Sequence, residues 1–187
     1  MFTRNLLLVF LALVTISLNA QKVLSKNAKI EFDATAKNSP ERINASTTKA
    51  VLVLDLTTGA VDATMLIKTF HFEKALMEEH FNENYMESDK YSKASFKGKI
   101  DPLSDLNLGK DGEQKIKISG SLTIHGIGKN VSTVATVTVK GGKIVSVDSA
   151  FEVVLADHGI KIPGAVQDKI NPKAQVKISV SNLEVAK

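Results

Sequence analysis

The chain contains no cysteine. That excludes disulfide staples, thiol nucleophiles and cysteine-ligated metal. Tryptophan is absent and aromatic residues are sparse, so any buried face must be built mainly from small and aliphatic side chains. The prolines, Pro40, Pro102, Pro163 and Pro172, all fall in polar connections. Known reaction signatures are missing too. There is no His-Glu-x-x-His pair, no Gly-x-Ser-x-Gly elbow and no phosphate-cradling loop between a strand and a helix. The turn Gly109-Lys110-Asp111-Gly112 lacks the flanking strand and helix that phosphate binding requires. Beyond Ile16 no apolar run is long enough to span a bilayer.

What is present begins with Leu6–Ile16, an apolar run after a single charge, Arg4, followed by small or polar residues to Ala20. This pattern predicts a secretory signal peptide over residues 1–20, cleaved after Ala20 to leave Gln21 first, and hence a periplasmic or secreted protein. The formal charge of +4 falls by one with Arg4. The remaining lysines are interleaved with acids along the chain, a solvated surface and not a nucleic-acid footprint. Residues 21–187 suit one domain. The sequons Asn44-Ala45-Ser46 and Asn130-Val131-Ser132 match by pattern only.

The stretch Gln114–Lys129 organises the rest. Ile116, Ile118, Gly120, Leu122 and Ile124 fall on one face, and Lys115, Lys117, Ser119, Ser121 and Thr123 on the other. That period of two predicts a half-buried antiparallel strand. Gly120 permits a sharp bend, and Gly126 and Gly128 mark a turn beside His125.

Similar alternation predicts strands at Lys29–Ala36, Ser46–Leu56, Val61–Thr69, Tyr91–Ile100, Asn130–Lys140, Lys143–Leu155 and Gln175–Val185. Val51, Val53 and Leu54 centre the second of these. The strand at Lys143–Leu155 turns Val145, Val147, Ser149, Phe151, Val153 and Leu155 to one side. Thr57-Thr58-Gly59 and Gly141-Gly142 are hairpin turns. Phe72–Asn82 follows helical spacing and is rich in helix formers, predicting one helix of about three turns. Asp101–Gly112 reads as a long polar loop. Ala156–Pro172 is a second long connection, of the kind that carries function. Eight strands with tight turns and one inserted helix predict an all-β fold, an eight-stranded antiparallel β-barrel. Small residues on the inward faces point toward a ligand cavity over a filled core.

At Gly120–Gly126 the sequence GSLTIHG resembles the YceI family of exported bacterial proteins. A second matching block runs through His80-Phe81, Tyr85, Lys90-Tyr91 and Phe96. A third is Asp157-His158-Gly159-Ile160. Ser92 replaces the usual proline, and Glu78-Glu79 stands where an Arg-Asp pair is common. The resemblance implies a lipocalin-like barrel that holds a long isoprenoid or other amphiphile, with the helix region covering one end.

A prenyl or acyl tail needs a dry apolar tunnel. The residues expected to line it are Phe32, Val53, Met65, Phe70, Phe72, Leu76, Phe81, Phe96, Ile118, Leu122, Ile124, Val137, Phe151 and Val153. His80 and His125 are expected to hydrogen-bond the head group. The expected protein is a non-enzymatic carrier without a cofactor, whose partner is a lipidic small molecule. Transient contact with a membrane surface, through Lys93, Lys97, Lys99, Lys115 and Lys117, and a homodimer are both compatible with the sequence. Two alternatives stay open: a barrel with a filled core and no ligand, and a metal-dependent hydrolase using His80 and His125.

Overall fold

A computed structural model describes residues 22–186. The signal peptide, its cleavage site and Gln21 lie outside these residues. The strands are β1 (Lys22–Thr35), β2 (Asn44–Asp55), β3 (Ala60–Leu66), β4 (Lys93–Ile100), β5 (Gly112–Ile124), β6 (Ile127–Lys140), β7 (Lys143–Val154), β8 (Ile170–Ser181) and β9 (Glu184–Val185). The helix α1 (Ala75–His80) lies between β3 and β4.

Strands β1 to β8 pair in sequence order, all antiparallel, and β8 pairs back onto β1, which also pairs with β2. The sheet is thus a closed, up-and-down barrel of eight strands, as the alternating sequence predicts. Closure leaves no barrel edge to pair with another chain. The final segment differs from expectation: Gln175–Val185 is divided between β8 and the two-residue β9, which adds to β1 at Val23 and Leu24.

Along β3 to β6 the observed inward face is the one the alternation gives. β5 begins the turn to β6 at His125-Gly126, whose φ angles of 52° and 75° make a two-residue hairpin with both central residues left-handed. β6 therefore starts at Ile127, three residues earlier than its β-branched run suggests.

Three strands, β1, β2 and β7, depart from simple alternation because of bulges, each of which inserts one residue and flips the parity beyond it. In the β1–β2 ladder the register shifts on both sides of Ala28. On β2 the buried residues pass from Ala45 and Thr47 to Ala50 and Leu54. Val53 therefore sits on the outer face and Leu52 on the inner one, correcting the expectation for Val53. A further bulge, on β7 opposite Thr138 and Val139, turns Ile144 inward and leaves Val145 exposed.

One end of the barrel is plugged. Val23, Leu54, Val61, Ile100, Ile116, Val137, Val139, Ile144 and Val180 form a buried cluster there. Leu56, Leu103, Leu106, Leu108 and Leu183 pack against it. The connection 101–111, which reads as polar, thus contributes three leucines to the plug. Gln114 pins that connection with bonds to the Asn107 backbone N–H and carbonyl and to the Lys110 carbonyl.

The opposite end carries the β1–β2 connection, the helical β3–β4 connection, the β5–β6 turn and the β7–β8 connection. α1 is shorter than its periodicity predicts. The Phe72 N–H is taken by the Glu78 carboxylate at 3.2 Å, so the chain enters the helix only after Lys74. It then passes into a π-helical turn, Phe81–Tyr85, closed by the Met86 N–H on the Phe81 carbonyl at 2.9 Å. The wider turn sets Phe81 and Tyr85 on one inward side.

A candidate amphiphile-binding cavity

Above the plug the barrel is hollow. The cavity has a volume of about 500 Å³, within the range of sites that take a drug-sized ligand. Its walls along β5 run from Ile118 to Ile124, about 20 Å of strand length at the usual rise per residue. Ile30, Leu52, Val61, Ala63, Phe96, Ala135, Val147, Val176 and Ile178 line it together with those β5 residues. The polar pair Thr133 and Ser149 also faces it. Their hydroxyls lie 3.1 Å apart, and each has a backbone carbonyl within donating distance, Thr133 that of Ala150 and Ser149 that of Val134. No hydrogen-bonding need is left for a ligand to meet at that depth.

Nearer the opening four phenylalanines form one cluster. Phe32 contacts Phe70, Phe72 and Phe81 at ring-centroid distances of 5.2, 5.8 and 5.4 Å. Phe81 also meets Phe70 at 5.7 Å and Phe72 at 5.0 Å. These are the favoured spacings for aromatic pairs. The cluster ties β1 to the helical connection and forms one side of the mouth. Leu76, Met77 and His80 of α1, and Ile160, Val166 and Ile170 of the β7–β8 connection, complete the lining.

Of the residues the sequence nominates, Phe32, Met65, Phe70, Phe72, Leu76, His80, Phe81, Phe96, Ile118, Leu122, Ile124, Phe151 and Val153 all lie on the cavity wall. Three do not. Val53 is turned outward by the β2 bulge. Val137 is on the correct face but belongs to the plug, where it is fully buried. His125 is at the open end but outside the cavity, engaged in a separate network.

In that network His125 Nε2 meets Glu87 Oε2 at 2.7 Å and its Nδ1 meets the His158 carbonyl oxygen at 3.2 Å. Both partners are acceptors, so a ring carrying both protons satisfies both. Tyr91 packs edge-on against the imidazole at 4.3 Å. His158, itself buried, directs Nδ1 to the Ile127 carbonyl at 3.0 Å. Glu87 and His125 both have left-handed backbones, with φ of 41° and 52°, a cost that the surrounding contacts must hold. The network fastens the segment after the π-helical turn, the β5–β6 turn and the β7–β8 connection to one another. This accounts for the histidine of GSLTIHG and for that of the Asp-His-Gly-Ile block.

Charged residues appear only at the rim of the cavity. Glu41, from the β1–β2 connection, accepts a hydrogen bond from Lys74 Nζ, just before α1. Lys169, just before β8, lines the same opening. The Lys74 hydrogen bond and charge, and then the Lys169 charge, hold the Glu41 carboxyl below its ordinary value. Burial pushes the Tyr85 phenol up. Among the described residues no three His, Asp or Glu side chains gather as a metal site requires; His80 and His125 belong to different structures. The lysines nominated for membrane contact do share an outer surface, since β4 and β5 are neighbours. Lys97 stands opposite Asp62 there, and Lys99 pairs with Asp101 at 3.6 Å.

The sequence profile of the YceI-like domain matches residues 15–182. Two solved structures share the fold. One is a polyisoprenoid binding domain from Saccharophagus degradans implicated in plant cell wall breakdown, with a TM-score of 0.70 and 12% identity, covering 88% of this chain and 98% of that one. The other is BcnA from Burkholderia cenocepacia, with a TM-score of 0.65 and 18% identity, covering 86% and 96%. No curated protein sequence matches the chain.

Proposed function

The chain belongs to the YceI-like family, and from that membership and the cavity we propose that it is a non-enzymatic carrier that encloses the tail of an isoprenoid or fatty amphiphile. The observation that carries this reading is the distribution of polarity: a cavity of about 500 Å³ whose charged groups stand only at its rim. Such a space accepts an apolar tail inward and leaves the head outward. The polyisoprenoid-binding neighbour of the same fold supports a prenyl tail as one occupant.

Burial supplies the affinity. At about 0.8 kcal/mol per methylene, roughly ten buried carbons contribute on the order of 8 kcal/mol gross, a micromolar scale before association costs. The tail would lie against Phe96, Ile118 and Leu122, and the aromatic cluster would close around it. Entry and release require the helical connection and the β7–β8 connection to part. The apolar leader at Leu6–Ile16 supports export, with the carrier working in the periplasm or outside the cell. The lysines of β4 and β5 offer a surface for brief contact with anionic membrane during exchange.

The test is native mass spectrometry of the protein recovered from its own cell envelope, with organic extraction of the bound fraction. A stoichiometric lipid mass is expected. Bare protein that also shows no rise in melting temperature with added isoprenoids or fatty acids would favour a ligand-free barrel.

A further inference from the structure

The charges at the rim are not balanced. Glu41, Lys74 and Lys169 are the fully charged residues of the cavity lining, and all three stand beyond strand ends. Their segments are held in place by the backbone: the Ala36 N–H donates to the Lys169 carbonyl at 2.9 Å, and the Ala34 N–H to the Ile43 carbonyl at 2.8 Å. Lys74 is bonded to Glu41. Lys169 forms no ion pair among the described residues, yet its charge reaches the Glu41 carboxyl. The lining of this corner thus holds one carboxylate beside two lysines, while Glu73, outside the lining, also acts on Lys74.

We propose that the head group of the bound amphiphile is anionic, a carboxylate or a phosphate monoester, and that it sits between Lys74 and Lys169, competing with Glu41 for Lys74. This rests on the carrier reading above and specifies the chemistry of its ligand. An incoming anion takes the charge of Lys169 and shares or displaces the Lys74–Glu41 bond. His80, on the same rim, offers a further N–H donor. A neutral alcohol gains neither lysine charge, and a cationic head finds no anion there except Glu41, already bonded to Lys74. Because the rim is exposed, the preference weakens as salt screens it. Glu41 then has a definite role: as a competitor for Lys74 it lowers the affinity for an anionic head and eases release.

The experiment keeps the tail constant and varies the head. Dodecanoate, dodecyl phosphate and dodecanol are titrated into the wild-type protein at low salt, with Lys74→Gln/Lys169→Gln and Glu41→Gln in parallel. The wild type is expected to bind both anions about tenfold more tightly than the alcohol, as charge-assisted bonds imply. The double variant is expected to lose that margin while its affinity for dodecanol is unchanged, and Glu41→Gln to bind the anions severalfold more tightly. The stronger of the two anions identifies the head as carboxylate or phosphate. Should the double variant fail to fold, Lys169→Gln alone carries the test, since Lys169 has no ion pair to lose. Equal binding of acid and alcohol by the wild type, or undiminished anion binding by the lysine variants, overturns the anionic head and leaves the carrier intact. Failure of all three compounds to bind the wild type overturns the carrier reading itself.

Discussion

Gly98 and Gly120 stand directly opposite each other on β4 and β5, and neither position has room for a side chain. A Cβ on Gly120 would lie 2.3 Å from the Lys97 carbonyl oxygen and 2.4 Å from Gly98 Cα. One on Gly98 would lie 2.5 Å from both the Phe96 ring and the Ser119 carbonyl oxygen. The missing side chains let Phe96 fold over Gly98, where its ring walls the cavity. Since the obstacles to Gly120→Ala are backbone atoms, that substitution is expected to cost about 3 kcal/mol or more, read from the urea midpoint. Gly98→Ala in a Phe96→Leu background should recover only part of its loss, because removal of the ring leaves the Ser119 carbonyl in place.

The hollow barrel and the filled barrel respond differently to added volume. Ala63 lines the cavity, opposite Phe96 in the β3–β4 ladder. In a hollow barrel Ala63→Phe fills space: the melting temperature should hold or rise, and the affinity for a twelve-carbon amphiphile should fall at least about tenfold, since several methylenes lose their place. In a filled barrel the same change overpacks the core and costs about 1–3 kcal/mol. A thermal melt and a ligand titration of one variant separate the two.

The His125 network predicts a local effect. His125→Ala removes the bonds to Glu87 and the His158 carbonyl, empties the space beside Tyr91 and leaves alanine in a left-handed conformation. The expected loss is about 2–3 kcal/mol. His125→Asn tolerates the conformation better and should lose less. In both variants hydrogen exchange should quicken in residues 87–91 and 155–160 while the paired strands β5 to β8 keep their protection. Uniform acceleration across the barrel would mean that His125 supports the whole fold instead of fastening its open end.

How much of this was legible in the sequence follows from what alternation encodes. It gives the face of a strand as long as the register is unbroken, and β5 and β6 are unbroken from Ile116 to Ile124 and from Val131 to Val139. It fails at bulges, which is why Val53 and Val145 are misplaced. A signal was present: Ser25-Lys26-Asn27-Ala28 and Thr47-Thr48-Lys49-Ala50 each set two exposed residues between buried ones, a doubled polar step that marks an inserted residue. Alternation says nothing of height along the barrel. Val137 faces inward as expected, yet its place in the plug depends on Leu103, Leu106 and Leu108, which arrive from a distant connection. The rim charges had no local signal, because Glu41, Lys74 and Lys169 meet only once the barrel closes. The motif GSLTIHG marks His125, but its left-handed turn directs it to Glu87 and His158, away from the cavity.

Tyr85 offers a test of the covered mouth without a mutation in the barrel. It lines the cavity from the π-helical turn, and burial raises its phenol above the ordinary value of about 10. The fold therefore favours the neutral phenol. Below that ordinary value the phenol is neutral in both the folded and the unfolded chain, and its contribution to stability is fully present. As the pH rises past it the unfolded chain ionises first, so this contribution declines until the folded phenol also ionises. The chain has two tyrosines and no tryptophan, so phenolate absorbance of the wild type minus that of Tyr85→Phe isolates the step. A bound amphiphile displaces water from the ring and should move the step to still higher pH. A Tyr85 phenolate that forms in the ordinary range, or that ignores a saturating amphiphile, would place this ring in solvent and leave the mouth of the cavity open on that side.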